Sequence, residues 1–229
     1  MQYYIDSANL EAIRRIAEYY PLTGVTTNPT IIAREQTDFL PLIRSIREII
    51  GPTRVFHVQT TADTAEGILK EAYLLRNAVG GNFCIKVPIS QEGIKATMML
   101  EKEEINVTVT GIFTQQQALI AAEAGADYVA PYVNRLDNIV SDGVSVVGEI
   151  VTLFRQYHLP TKVLAASFKS VEQVHKALMA GTDAITIEPA LFEKLLYHPL
   201  TINAIADFNA DWSSVYGERK IPELLGDLR

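Results

Sequence analysis

Eight short apolar runs, each followed by a segment of helical period, constrain this chain more than any other feature. The runs are Tyr3–Asp6, Gly24–Thr27, Arg54–Thr60, Phe83–Val87, Val107–Gly111, Tyr128–Val133, Lys162–Ser167 and Ala184–Glu188. They lack strict polar alternation, the pattern of strands buried on both faces. Between them, Leu10–Tyr19, Phe39–Ile50, Ala62–Asn77, Glu92–Glu103, Gln115–Ala124, Gly143–Tyr157 and Val171–Ala180 space apolar residues by three and four, as amphipathic helices do. Ser7, Asp38, Thr61, Ser90, Thr114 and Ser170 stand where helix caps are expected, and Gly125 and Gly181 where helices end. Alternating βα units imply a parallel sheet covered by helices. Eight of them in about 200 residues fit a closed (β/α)8 TIM barrel. The competitor is an open doubly wound sheet. No Gly-x-Gly-x-x-Gly follows the first strand, which counts against the dinucleotide-binding form of that fold.

The chain divides into a barrel over 1–199 and a further helix, Leu200–Tyr216, with a polar tail, Gly217–Arg229. A barrel closed by its own helices does not need this last piece, so it is expected to cap the barrel or pack on a neighbouring subunit. With 229 residues the chain has material for one large core. Its net charge of −7 disfavours nucleic acid and anionic membrane. A lone cysteine, Cys84 in the apolar Phe83-Cys84-Ile85, excludes an internal disulfide and reads as core filler in a reducing compartment. The first residues, Met1-Gln2-Tyr3-Tyr4-Ile5-Asp6, show no basic-then-apolar signal, and no run approaches the ~20 apolar residues of a membrane span. A cytoplasmic protein is expected.

In such a barrel the active site lies at the C-terminal strand ends. Those ends carry Asp6, then Thr26-Thr27-Asn28-Pro29, Gln59, Lys86, Thr108 and Thr110, Tyr132-Val133-Asn134-Arg135, Ser167 with Lys169, and Glu188. Lys86 stands out inside Phe83-Cys84-Ile85-Lys86-Val87-Pro88. A buried ammonium is costly, while a buried amine held neutral is a carbonyl nucleophile. Two readings stand for it: an ion pair with a carboxylate such as Asp6, or a nucleophile. Asp6 also reads as a helix cap, Thr26, Thr27 and Asn28 as turn residues before Pro29, and Arg135 as a surface partner of Asp137. Taken jointly, they gather amine, carboxylate, amide, phenol, hydroxyl and guanidinium at one barrel end, which points to chemistry. His57, His158, His175 and His198 are scattered, so no metal site is expected.

At these residues the chain resembles the transaldolase family, and within it the fructose-6-phosphate aldolases. The matching segments are Gly24-Val25-Thr26-Thr27-Asn28-Pro29, Thr64-Ala65-Glu66-Gly67, Ile85-Lys86-Val87-Pro88, Glu92-Gly93, Tyr128 to Arg135 and Val163-Leu164-Ala165-Ala166-Ser167. The resemblance implies a class I (Schiff-base) aldolase without cofactor, acting on small sugar phosphates as a homo-oligomer of pentamers or decamers. It implies the Schiff-base amine at Lys86, with Asp6, Asn28 and the strand-five Thr110 around it. In the expected cycle Asp6 and Asn28 orient the donor, Thr26 is a further substrate-binding candidate, and Tyr132 is the acid/base through a water held by Gln59 and Thr110. The resemblance implies phosphate binding by Arg135, Ser167 and Lys169. Gln59 and Tyr132 follow the aldolase pattern, where transaldolases resemble one another in carrying Glu and Phe. Thr108 matches neither the Asn of transaldolases nor the Leu expected in the aldolases. The expected reaction is cleavage of fructose 6-phosphate to dihydroxyacetone and glyceraldehyde 3-phosphate, with transaldolase as the alternative and a non-catalytic sugar-phosphate-binding barrel as a third reading.

Overall fold

The computed structural model of the chain describes residues 1–226. The strands are β1 (Gln2–Asp6), β2 (Gly24–Thr26), β3 (Val55–Gln59), β4 (Phe83–Pro88), β5 (Val107–Ile112), β6 (Tyr128–Pro131), β7 (Lys162–Ala165) and β8 (Ala184–Ile187). They pair in parallel in sequence order, and β8 returns to β1. The (β/α)8 barrel is therefore closed, and the open sheet is excluded. Around it run α1 (Leu10–Tyr19), α2 (Pro29–Arg34), α3 (Phe39–Ile50), α4 (Ala65–Val79), α5 (Gln91–Lys102), α6 (Gln115–Glu123), α7 (Val133–Asp137), α8 (Gly143–Gln156), α9 (Val171–Met179) and α10 (Pro189–Lys194).

The strand runs are apolar because both faces are covered. Ile5, Val25, Val58, Ile85, Val87, Val109 and Ile187 are all buried. Inside the barrel, Tyr4, Cys84, Tyr128, Leu164 and Ala184 pack as one cluster, so the lumen is a filled core and not a pore. Cys84 is buried there as the sequence suggests.

Three short helices, α2, α7 and α10, have no counterpart in the periodicity, because six or fewer residues cannot show a 3.6 repeat. The most consequential is α7. The run Tyr128–Val133 reads as one strand, but β6 ends at Pro131. Proline has no N–H for the ladder, and the next amides turn aside: Val133 N donates to Ala166 O (3.0 Å) and Asn134 N to Ser167 O (2.8 Å). Two expected caps also move. Asn9, not Ser7, caps α1, its side chain accepting from Ala12 N (2.9 Å). Thr64, not Thr61, caps α4 through Gly67 N (3.2 Å). Ser90, Thr114 and Ser170 cap their helices through side-chain acceptors, whereas Asp38 occupies its cap without one. Gly125 and Gly181 hold φ of +93° and +89°, the left-handed ending that glycine favours.

From Glu193 onward the chain forms a separate compact unit, with α11 (Pro199–Tyr216) and α12 (Ile221–Leu225). Within it, Trp212 Nε1 donates to Arg219 O (2.8 Å) and its ring lies 4.6 Å from that of Tyr216. The end of the tail, 227–229, lies outside the described residues. Among the described residues no helix is long and apolar enough to cross a membrane.

The start of α5 is packed against the end of β4. A Cβ on Gly93 would meet Pro88 O at 2.2 Å and Val87 Cγ1 at 3.3 Å. Gly93→Ala is expected to cost about 1–3 kcal/mol through overpacking, a fall of several degrees in Tm. Thermal unfolding checks this; an unchanged Tm would show that β4 and α5 can part without cost.

Candidate active site

Where the strands end, a cavity of about 550 Å³ opens. Asp6, Asn28, Gln59 and Lys86 line one part of its wall, and Tyr132, Arg135, Ser167 and Lys169 another. Thr26 and Thr110 are not wall residues. Each is buried behind one and hydrogen-bonded to it: Thr26 Oγ1 donates to Asp6 Oδ1 (2.6 Å), and Thr110 Oγ1 lies 3.0 Å from Tyr132 Oη. The sequence reading thus converges on one place, from β1 through β7.

Lys86 is 3% exposed. In the ladder it faces Gln59 of β3 and Thr108 of β5. Its ammonium donates to the Thr27 carbonyl (3.3 Å), a neutral acceptor and not a carboxylate. Asp6, the ion-pair partner considered from sequence, is instead engaged with Thr26, whose hydroxyl also lies 2.7 Å from Thr186 Oγ1. Thr27 is held by its own amide and hydroxyl, both donating to His57 O at 3.0 Å. The acceptor for the amine is therefore a fixed backbone oxygen.

Asn28 combines the turn role with a place in the wall. Its Oδ1 accepts from Ile31 N (3.0 Å) and caps α2, which fixes the amide group and leaves Nδ2 as its donor. The turn after Gln59 is clamped by Glu71 of α4. The carboxylate accepts from Thr60 Oγ1 (2.5 Å), Thr61 N (2.8 Å) and Thr61 Oγ1 (3.0 Å). Partial burial raises its pKa, but these hydrogen bonds outweigh it and hold the carboxyl below the usual range. Thr61 therefore serves the turn and not the helix.

At β5 the register shifts between Thr110 and Ile112, and Gly111 takes φ +76°. This bulge ends regular pairing beside the site, where Thr110 meets the Tyr132 phenol. The Tyr132 ring is held edge-on by Phe113 (5.6 Å) and carries the Arg135 guanidinium 4.9 Å above its centroid. Arg135 is thus stacked over the phenol, while Asp137 accepts from Gly143 N (2.9 Å) and Gln173 Nε2 (2.6 Å). Ser167 sits at φ +62°, an uncommon conformation for a residue with a side chain. It turns the end of β7 so that its carbonyl accepts from Asn134. Lys169 reaches the cavity already paired with Glu188 (2.8 Å).

Arg34, Thr186 and Glu188 also line the cavity, and sequence reading gave none of them a role. Glu188 was visible as a strand end. Arg34 lies on α2, too short to be seen by periodicity. Thr108 is buried and is not part of the cavity wall. Among the described residues no three His, Cys, Asp or Glu side chains are placed to share a metal ion.

The Transaldolase/Fructose-6-phosphate aldolase family pattern matches residues 3–220. The chain belongs to that family, which is one of enzymes. It is 42% identical over 222 residues to a probable fructose-6-phosphate aldolase of Streptococcus pneumoniae, covering 96% of this chain and all of that one. It is 41% identical over 216 residues to a probable transaldolase of a Hydrogenobaculum species, covering 94% and 98%. Distant solved structures share the fold alone. A flavocytochrome b2 variant gives a TM-score of 0.59 at 13% identity, over 82% of this chain and 57% of the other. A 3,6-anhydro-D-galactonate cycloisomerase from Zobellia galactanivorans gives 0.56 at 15%, over 82% and 52%.

Among the described residues the stacked Arg135 has no carboxylate partner, unlike Lys169, so it is the cation better placed to take an anion. Arg135→Ala is expected to weaken inorganic phosphate binding about ten- to a hundredfold, the worth of a charge-assisted contact. Calorimetric titration checks this. An equal loss in Lys169→Ala with none in Arg135→Ala would reverse the assignment.

Proposed function

We propose that this chain is a class I aldolase that cleaves fructose 6-phosphate into dihydroxyacetone and glyceraldehyde 3-phosphate, and forms it in reverse, through a Schiff base at Lys86. The observation that carries the reading is a buried amine, on β4, in one cavity with the Tyr132 phenol, which Thr110 holds from behind, and the Arg135 guanidinium.

The amine of Lys86 adds to the C2 ketone and water leaves, giving an iminium that serves as electron sink. A base takes the C4 hydroxyl proton, and the C3–C4 bonding pair flows into the iminium as the aldehyde departs. The remaining enamine takes a proton on carbon and is hydrolysed to dihydroxyacetone. Tyr132 is the acid/base group, held by Thr110 and aided by a water positioned by the Gln59 amide. Asp6 and Asn28 orient the donor hydroxyls, and Thr26 holds Asp6 from behind. Arg135, Ser167 and Lys169 receive the phosphate; Lys169 does so in competition with Glu188. The amine supplies the electron sink, so the cycle calls on no cofactor. We assign the protein to the cytoplasm and to a homo-oligomer, pentamer or decamer.

A second reading is a transaldolase, which passes the same three-carbon enamine to an aldose such as erythrose 4-phosphate. The 41% identity to a probable transaldolase favours it, while Gln59 and the Tyr132 phenol favour the aldolase. The two differ in whether proton delivery to the enamine outruns capture by an acceptor.

Borohydride reduction in the presence of dihydroxyacetone should attach the three-carbon unit to Lys86, and Lys86→Arg should abolish both trapping and turnover. An adduct mapped to Lys95, Lys162 or Lys169 would sink the assignment. Tyr132→Phe should cut release of dihydroxyacetone from fructose 6-phosphate by roughly 10²–10⁴, as for a lost acid/base group. Transfer to erythrose 4-phosphate should suffer less. If native protein only transfers, or if Tyr132→Phe releases dihydroxyacetone at the native rate, the transaldolase reading replaces this one.

A further inference from the structure

Below the cavity lies a polar layer that the proposed reaction does not use. His57 is on β3, two residues before Gln59. Thr108 is on β5, directly opposite Lys86 in the ladder. Both are fully buried. His57 Nδ1 and Thr108 Oγ1 lie 2.8 Å apart, and Cys84 Sγ lies 3.2 Å from the same hydroxyl. The rings of Tyr4 and Tyr128 meet the imidazole edge-on, with centroids at 5.0 and 5.3 Å. The other imidazole nitrogen, Nε2, is buried without a hydrogen-bond partner among the described residues.

Such an arrangement is expensive for a core. A buried polar atom left unpaired costs free energy that a leucine in the same place would avoid. Stability therefore does not account for a histidine here. Its electrical surroundings do suggest a role. Burial, and after it the charge of Lys86, push the His57 pKa down to about 3. The ring is neutral at any working pH, and the Thr108 hydroxyl that it contacts belongs to the residue opposite Lys86 in the ladder. Thr108 has a reason as well: it is neither the Asn nor the Leu of the related patterns, and its hydroxyl is the partner that Nδ1 uses.

We propose that His57 and Thr108 are positioning residues for the Schiff base, a neutral polar floor beneath Lys86 that stabilises the cationic iminium. The inference rests on the reading of Lys86 as the nucleophile. When the amine nitrogen adds its lone pair to C2, the carbonyl oxygen takes one proton from that nitrogen and one from the Tyr132 acid/base group, and leaves as water. The nitrogen keeps one hydrogen, gains a double bond to C2 and carries the positive charge. Cleavage needs that charge, because it draws the C3–C4 electron pair. Burial in an apolar strand opposes it. Asp6 supplies the opposite charge in the cavity wall. Fixed dipoles beneath the nitrogen add stabilisation that requires no rearrangement during the reaction. A protonated imidazole would repel the iminium, and the dry packing against Tyr4 and Tyr128 keeps the ring neutral.

The test uses full-length protein, with Thr108→Val, His57→Leu and the double variant, and with Thr108→Ser and His57→Gln as conservative controls. Borohydride trapping of dihydroxyacetone at Lys86, kcat, KM and Tm are measured on each. Trapping and kcat should fall roughly tenfold in Thr108→Val and in His57→Leu, with KM nearly unchanged. The double variant should be no worse than the poorer single, because the two groups act as a unit. Thr108→Ser and His57→Gln should recover most of the loss, and Tm in His57→Leu should stay level or rise. Native trapping in Thr108→Val and His57→Leu would overturn the proposal. So would losses that track a falling Tm and that Thr108→Ser fails to recover. Native protein that is never trapped would instead refute Lys86 as nucleophile, and this inference with it.

Discussion

Placing an amine in the wall of a closed barrel sets the terms for everything around it. In a parallel barrel each inward residue has inward neighbours on the two adjacent strands, so Lys86 is bracketed by Gln59 and Thr108 through the ladder itself. Lys86 and Thr108 are buried, and buried polar atoms must answer one another. They do so in pairs that reach across strands. Thr26 bridges Asp6 and Thr186, Thr110 meets Tyr132, and His57 meets Thr108. Each pair holds one wall or floor group by a partner that does not itself enter the cavity. Geometry held from behind in this way keeps the reactive groups in place without consuming the donors and acceptors that face the cavity.

The ladder cannot supply everything, because strands end. Beyond the last paired residue, the positions of Asn28, Arg135 and Ser167 depend on irregular backbone. Asn28 is fixed by capping a six-residue helix. Arg135 is carried by a helix of five residues, whose first amides are bonded to the end of β7. Ser167 reaches its place only through a left-handed backbone. Such conformations cost energy and persist where the surroundings over-determine them. Here those surroundings are the Val133 and Asn134 amides, which tie β6 and β7 together just above the core.

This division explains what could be read from residue order. The eight strands and the long helices were legible because burial on two faces, or on one stripe, leaves a period in the sequence. Lys86 was legible as a charge in an apolar run. The site residues converged because a barrel brings all C-terminal strand ends to one place. What stayed hidden follows from local competition. Ser7 and Thr61 look like caps, yet Asn9 and Thr64 win those roles, and Thr61 is claimed by Glu71 ten residues on. Arg34 and the α7 backbone lie on helices too short for a period. The His57–Thr108 contact joins residues 51 apart, across non-adjacent strands, and only the closed lumen makes them neighbours.

Charge completes the picture. The chain carries a net −7, so its far field repels an anionic sugar, and attraction must be local. Three cations other than Lys86 line the cavity: Arg34, Arg135 and Lys169. Lys169 is largely neutralised by Glu188 at 2.8 Å, and Asp6 opposes Lys86 across the same space. Among the described residues neither arginine is ion-paired, so the positive charge of the cavity belongs chiefly to these two, one on α2 beside Asn28 and one stacked over Tyr132. The guanidinium of Arg135 stacks on the ring of Tyr132, whose hydroxyl meets Thr110. On the proposed reading, binding charge and proton-carrying group are joined through one aromatic side chain, so that anchoring an anionic end of a substrate would also set the distance from its carbon chain to the phenol.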